Sequence, residues 1–171
     1  MPVRSALLLA ATLMSAAAGA AEPARVHMMT TPNEVPGTRQ IEAAASLGAP
    51  DATLEAGLQR SRTFADRARM SENRAAALAN LCVGHALKGE YALAQTYCDR
   101  AVEEPRHAAI ALVNRGALHI LTGNSAAAVV DLERALALAP GLAEARNNLD
   151  RAQVKLAAAQ ARQNVAETPR E

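Results

Sequence analysis

The chain has 171 residues, of which half are hydrophobic, and its formal net charge is +1 at neutral pH. Only three residues are aromatic, and the apolar content is mostly Ala and Leu, which favours helices over a sheet built from β-branched and aromatic side chains. A charge so close to zero provides no basic surface for nucleic acid or anionic lipid, so the composition excludes both classes of partner.

The first 21 residues have the three-part organisation of a secretory signal peptide. Arg4 supplies the positive charge, residues 6–14 form a short apolar core, and small residues at 18–21 offer a cleavage site. The apolar core is shorter than the roughly 20 residues that span a bilayer, so we expect cleavage rather than a retained anchor. The sequence therefore predicts a periplasmic or secreted protein that is not inserted in a membrane.

The segment after the cleavage site has little regular pattern. Several prolines and no apolar periodicity occur near the start of residues 22–50, which predicts a flexible linker, with or without a short helix at 38–47. Residues 51–70 have helically spaced apolar side chains, beginning at Leu54, and are predicted to form a helix that packs on the rest of the protein. The sequence leaves open whether residues 38–69 form a degenerate repeat or fill a groove.

A repeat with a period of about 34 residues, within the range typical of helical arrays, runs through the second half of the chain. The matched pairs include polar residues and glycines, which composition alone does not align at one offset. They are Ala77/Ala111, Asn80/Asn114, His85/His119, Gly89/Gly123, Ala94/Ala128 and Ala101/Ala135. The period and these residue types resemble the tetratricopeptide repeat (TPR), a helical hairpin that buries its apolar face by stacking on its neighbours.

The resemblance implies an all-α fold, a short TPR solenoid of helical hairpins with a C-terminal capping helix. Residues 71–108 and 109–142 are the two predicted repeats, residues 143–162 the capping helix and residues 163–171 a disordered tail. About three repeats are usually needed for a stable array, so we expect further stabilisation from elsewhere in the chain.

The two cysteines occupy matched places in the first repeat. Cys82 and Cys98 each lie eight residues from Glu90 at the predicted turn, so they are level on antiparallel helices. The second repeat has Gly116 and Leu132 at these positions. In an exported protein this placement predicts a disulfide, whereas the alternative is a pair of buried free thiols.

The resemblance also implies a concave groove that binds another protein or peptide. Its predicted lining is apolar with a polar edge, and consists of Ala76, Ala79, Asn80, Val83, Ala86, Ile110, Val113, Asn114, Ala117, Ile120, Asn147 and Arg151. Asn80 and Asn114 have two interpretations, hydrogen bonding to a peptide backbone or hydrogen bonding between helices. Apolar residues stand where other TPR domains bind a terminal carboxylate, so no carboxylate clamp is predicted.

No motif for catalysis or cofactor binding is present. The sequence has no nucleophile elbow, P-loop, zinc-protease or C-x-x-C motif. His85 and His119 share a repeat position, but two ligands fall short of the four of a structural zinc site, so we expect packing there rather than metal binding. We expect no enzymatic activity, no cofactor and no metal.

These observations lead to two hypotheses of function. The first is a non-enzymatic protein- or peptide-binding TPR module of the bacterial cell envelope, which uses an apolar concave groove. The second is a structural or self-associating envelope protein whose groove is filled by its own N-terminal segment.

Overall fold

Segments rich in Ala and Leu form seven α-helices in the computed structural model, which describes Val26 and residues 28–30, 35–47, 51–104 and 108–167. The helices are α1 (Thr38–Leu47), α2 (Asp51–Arg67), α3 (Ser71–Leu87), α4 (Tyr91–Glu103), α5 (Ala108–Leu121), α6 (Ser125–Leu138) and α7 (Ala143–Glu167). No strand occurs in these ranges, which confirms the predicted all-α class. The predicted signal peptide lies outside the described residues.

A tight turn with a glycine joins α3 to α4, and another joins α5 to α6. Gly89 follows α3 with φ 74°, and Gly123 follows α5 with φ 84°. These values lie in the left-handed region, where the missing Cβ of glycine removes the steric penalty. After the second turn, the side chain of Asn124 accepts a hydrogen bond of 3.3 Å from the backbone N–H of Ala127 and caps the start of α6.

The helices pack as two rows. Each odd-numbered helix contacts the even-numbered helix that follows it and the next odd-numbered helix, and each even-numbered helix contacts the odd-numbered helix after it. We call α1, α3, α5 and α7 the inner row and α2, α4 and α6 the outer row. The α1–α2 pair therefore continues the helical repeat-like arrangement as a third hairpin.

Small residues set the distance between the two rows. A Cβ at Gly84 would lie 2.5 Å from Leu58 Cδ2, and a Cβ at Gly116 would lie 2.7 Å from Leu132 Cγ. Both distances are well below the optimal carbon–carbon separation of about 3.5–4.0 Å. Glycine therefore allows α3 to approach α2, and α5 to approach α6, as closely as they do.

A disulfide joins α3 to α4, as the sequence predicts. The Cα atoms of Cys82 and Cys98 are 5.1 Å apart, and both residues are fully buried. The bond closes a loop of a size that adds roughly 3 kcal/mol in the chain-entropy model. The disulfide thus stabilises the α3–α4 pair. It lies at the level where Gly116 and Leu132 pack directly on each other in the α5–α6 pair.

The last helix is longer than predicted. It continues to Glu167, five residues past the boundary at 162, so residues 163–167 are helical rather than part of a disordered tail. The reason is local: α7 contains no Gly or Pro that would interrupt it. None of the described helices combines the length and the apolarity needed to cross a membrane.

Candidate functional site: the inner row of helices

Most of the predicted groove residues are buried rather than open. Nine of the twelve are buried, while Ile110 and Arg151 are partly exposed and Asn147 is exposed. The predicted open apolar groove is therefore not found along α3 and α5. Residues that precede these helices pack against both of them: Met28 contacts the core cluster of α3, and Val26 and Met29 contact that of α5.

Four described residues near the N-terminus lie on the inner row, and we call Val26 and residues 28–30 the N-terminal segment. The sequence predicts a flexible linker over residues 22–50, but the described part of that range packs against the helices. Val26 and Met29 pack against the core around α5 and α7, and Met28 packs beside the disulfide. Three apolar side chains thus fix this segment in place.

Asn114 binds the backbone of the N-terminal segment at two points. Its Oδ1 accepts a hydrogen bond of 2.7 Å from the N–H of Met29, and its Nδ2 donates one of 2.8 Å to the C=O of the same residue. The N–H and C=O of one residue point to the same side when its backbone is extended, so the amide meets both groups at once. Asn114 therefore recognises an extended backbone independently of the side chain.

The asparagine one repeat earlier fixes the turn before α1. Asn80 Nδ2 donates to Thr38 Oγ1 at 2.7 Å, and this hydroxyl donates to the C=O of Val35 at 2.9 Å. The turn needs Gly37, whose φ is 99° and where a Cβ would lie 2.6 Å from Ser61 Oγ. Two asparagines at the same repeat position thus bind two successive parts of the same N-terminal region.

Part of the inner row remains open next to the N-terminal segment. A cleft of about 1050 Å³ lies between this segment, the second half of α1 and the ends of α3 and α5. We call it the inner cleft. Its apolar wall includes Leu87, Tyr91 and Leu121, which are 44%, 41% and 43% exposed. Of the predicted groove residues, Val83 and Ala86 reach this cleft.

The two histidines at matched positions face different carboxylates. His85 Nδ1 lies 2.6 Å from Glu90 Oε2, and its ring stacks on that of Tyr97. His119 Nε2 lies 3.7 Å from an oxygen of Asp131, and burial lowers the pKa of His119. Among the described residues no group of three or more His, Cys, Asp or Glu is placed to hold a metal ion.

An ion-pair network that the sequence analysis missed joins the α5–α6 pair to α4. Arg115 donates from Nε and Nη2 to the two carboxylate oxygens of Asp131, at 2.7 Å each, and from Nη1 to Asp99 at 3.0 Å. The hydrogen bonds to Asp131 raise the pKa of Arg115 above its usual value. Arg115 and Asp131 are separated along the chain by as many residues as the two cysteines. The same spacing could therefore have predicted that these two side chains meet.

Comparisons of the chain with protein-family models, with curated proteins and with solved structures find no match. The geometry of the inner row is therefore the basis for assigning a function. It offers an asparagine that binds an extended backbone and an open cleft beside it.

Proposed function

We propose that this protein is a non-enzymatic, TPR-type protein- or peptide-binding module of the bacterial cell envelope. The observation that carries this proposal is the pair of hydrogen bonds between the Asn114 amide and the backbone of Met29. Because Asn114 bonds only to main-chain atoms of Met29, an extended peptide from a partner protein has the groups needed to make the same bonds.

The spacing of the helices supports the assignment to the TPR family. α3 and α5 end one repeat period apart, at Leu87 and Leu121, and α4 and α6 begin one period apart, at Tyr91 and Ser125. Each helix contacts its neighbours in the alternating way that stacked hairpins require. With the α1–α2 pair included, three hairpins and a final helix meet the usual minimum for a stable array.

The disulfide supports a location outside the cytoplasm. Structural disulfides persist in oxidising compartments and are rare where thiols are kept reduced. Together with the predicted signal peptide at residues 1–21, the Cys82–Cys98 bond favours export to the periplasm or beyond.

Binding of a partner at Asn114 requires displacement of the N-terminal segment. Each hydrogen bond that is exchanged contributes about 0.5–1.5 kcal/mol net, and the incoming peptide makes the same bonds, so the exchange at Asn114 is close to neutral. The balance is then set by the apolar side chains that replace Val26, Met28 and Met29. We expect a preference for peptides with apolar residues at these places.

A structural role is the second candidate, and the packing of the N-terminal segment favours it. The three apolar side chains of the segment contact the helical cores, which is the expected arrangement if the segment is a permanent part of the fold. In that case the protein stabilises an envelope assembly or associates with itself, and the segment is not displaced.

A peptide-binding experiment separates the two candidates. A variant that lacks residues 22–30 is mixed with a fluorescent peptide of residues 22–34, and anisotropy measures their association. We expect binding by this variant, weaker binding by the protein that keeps its segment, and at least a fivefold loss with Asn114→Ala, which corresponds to about 1 kcal/mol or more for the lost bonds.

The matched control is Asn147→Ala, because Asn147 is an exposed asparagine on α7. This substitution should leave the affinity for the peptide unchanged. If the shortened variant is unfolded by circular dichroism, or is folded but does not bind the peptide, the structural role is the better explanation.

A further inference from the structure

The inner cleft presents an unusual concentration of exposed apolar side chains. Leu87, Tyr91 and Leu121 are each about two-fifths exposed, and they come from the end of α3, the start of α4 and the end of α5. Leu121 meets Leu87 and Tyr91 at one cleft although it lies one repeat further along the chain. Clustered exposed apolar side chains at a concave surface mark an interaction site more often than single ones do.

The charged groups of the cleft favour a cationic occupant. Glu42 lines the inner cleft, and Asp51, Glu55 and Lys88 line a neighbouring cleft that shares Leu87 with it. Lys88 is the one lysine among these lining residues, and its ammonium group already pairs with the carboxylates of Glu55 at 3.0 Å and Glu90 at 2.8 Å. Among the described lining residues of the two clefts the carboxylates therefore outnumber the one lysine, and they attract a basic group at low ionic strength.

The second half of α7 extends beyond the helices on which its first half packs. Among the described helices α7 contacts only α5 and α6, and Ala152 is its last buried residue. The residues from Gln153 to Asn164 are exposed, apart from the partly buried Leu156. This stretch carries two basic residues, Lys155 and Arg162, and no acidic one. Val154 is 70% exposed and shares a helical face with Ala158 and Ala161.

We propose that the second half of α7 from one copy of the protein docks in the inner cleft of another copy. An apolar helical face with basic residues then meets an apolar cleft with carboxylates around it. The occupant comes from a second copy because, within the described ranges, α7 makes no contact with α1 or α3, which bound the cleft. This docking requires the N-terminal segment to stay in place, because Val26, Met28 and Thr30 line the cleft, so it is separate from the exchange of peptides at Asn114.

The contact is heterologous: each copy offers a cleft on one side and a helix on the other. Such contacts continue from copy to copy, and they form a ring if the rotation closes or a filament if it does not. Assembly should weaken as salt is added, because part of the attraction comes from charges at the protein surface.

Analytical ultracentrifugation of the purified protein over a range of concentrations tests this arrangement. We expect the wild type to associate, and Leu121→Glu in the cleft or Val154→Glu on α7 to sediment as a single chain. Val130→Glu is the matched control, because Val130 is a 55% exposed valine on α6, outside both surfaces, and it should associate as the wild type does.

Mixing the two variants gives the decisive result. The Leu121→Glu protein keeps an intact α7 and the Val154→Glu protein keeps an intact cleft, so an equimolar mixture should form a dimer and no larger species. A wild type that stays a single chain at all concentrations, or a mixture that does not dimerise, overturns the proposal. If either variant is misfolded by circular dichroism, Tyr91→Lys and Lys155→Glu replace the pair with the same expectations.

Discussion

The buried ion pair between Arg115 and Asp131 gives the sharpest test of the packing between α5 and α6. The side chain of Asp131 is only 5% exposed, and that of Arg115 is 19% exposed. Removing one member of a buried pair leaves an uncompensated charge, which costs about 3–5 kcal/mol when both groups are fully buried. The loss of stability therefore depends on which of the two side chains is removed.

Arg115→Leu leaves the more deeply buried charge, so we expect a loss of about 3 kcal/mol in the free energy of unfolding. Asp131→Tyr leaves an arginine that is partly exposed and keeps Asp99 at 3.0 Å, so its expected cost is lower, about 2 kcal/mol. In the α3–α4 pair, Leu81 and Tyr97 occupy the repeat positions that Arg115 and Asp131 occupy in the α5–α6 pair.

The double substitution Arg115→Leu with Asp131→Tyr reproduces this apolar pair. Because no buried charge is then left unpaired, it should cost no more than about 2 kcal/mol, which gives a coupling energy of at least about 3 kcal/mol.

Urea denaturation followed by far-UV circular dichroism measures all three variants. The control is Arg134→Leu, which removes an exposed arginine of α6 and should change the stability by less than about 0.5 kcal/mol. A double variant whose loss equals the sum of the two single losses would show that the two side chains do not form a pair, and our account of this interface would be wrong.

Three further predictions address the core and its response to pH. Replacing Cys82 and Cys98 together by Ala should lower the free energy of unfolding by at least roughly 3 kcal/mol, and an unchanged urea midpoint would contradict a stabilising disulfide. Gly116→Ala should destabilise by about 1 kcal/mol, because the overlap with Leu132 exceeds the gain in helix propensity of about 1 kcal/mol; a more stable variant by thermal denaturation would show that the helices have room to separate. Burial lowers the pKa of His119 in the folded protein, so below the unfolded value of about 6.5 the unfolded chain binds more protons and stability decreases as the pH is lowered. His119→Gln should remove the part of this loss of stability at low pH that comes from His119. Equal slopes of stability against pH in the variant and the wild type would show that His119 is not its source.

The sequence by itself determined the helices and turns of the two repeats, and it placed Cys82 and Cys98 where the structure has a disulfide. The repeat period predicts two helical pairs because apolar spacing and turn glycines are local properties of the chain. Cys82 and Cys98 follow from the same pattern, since residues equally distant from a hairpin turn are level on its two helices. The network of Arg115 was accessible by the same rule.

Only the tertiary structure decided what covers the inner row. The bonds between Met29 and Asn114 span 85 residues, and no periodicity connects a short non-helical segment to one asparagine at that distance. The α1–α2 pair lies outside the repeat register, so its place in the array depends on Ile41 and Leu58, which are buried against α3. Local pattern fixes which segments are helical, but the surface that a helix or segment covers depends on the total free energy of packing across the whole chain.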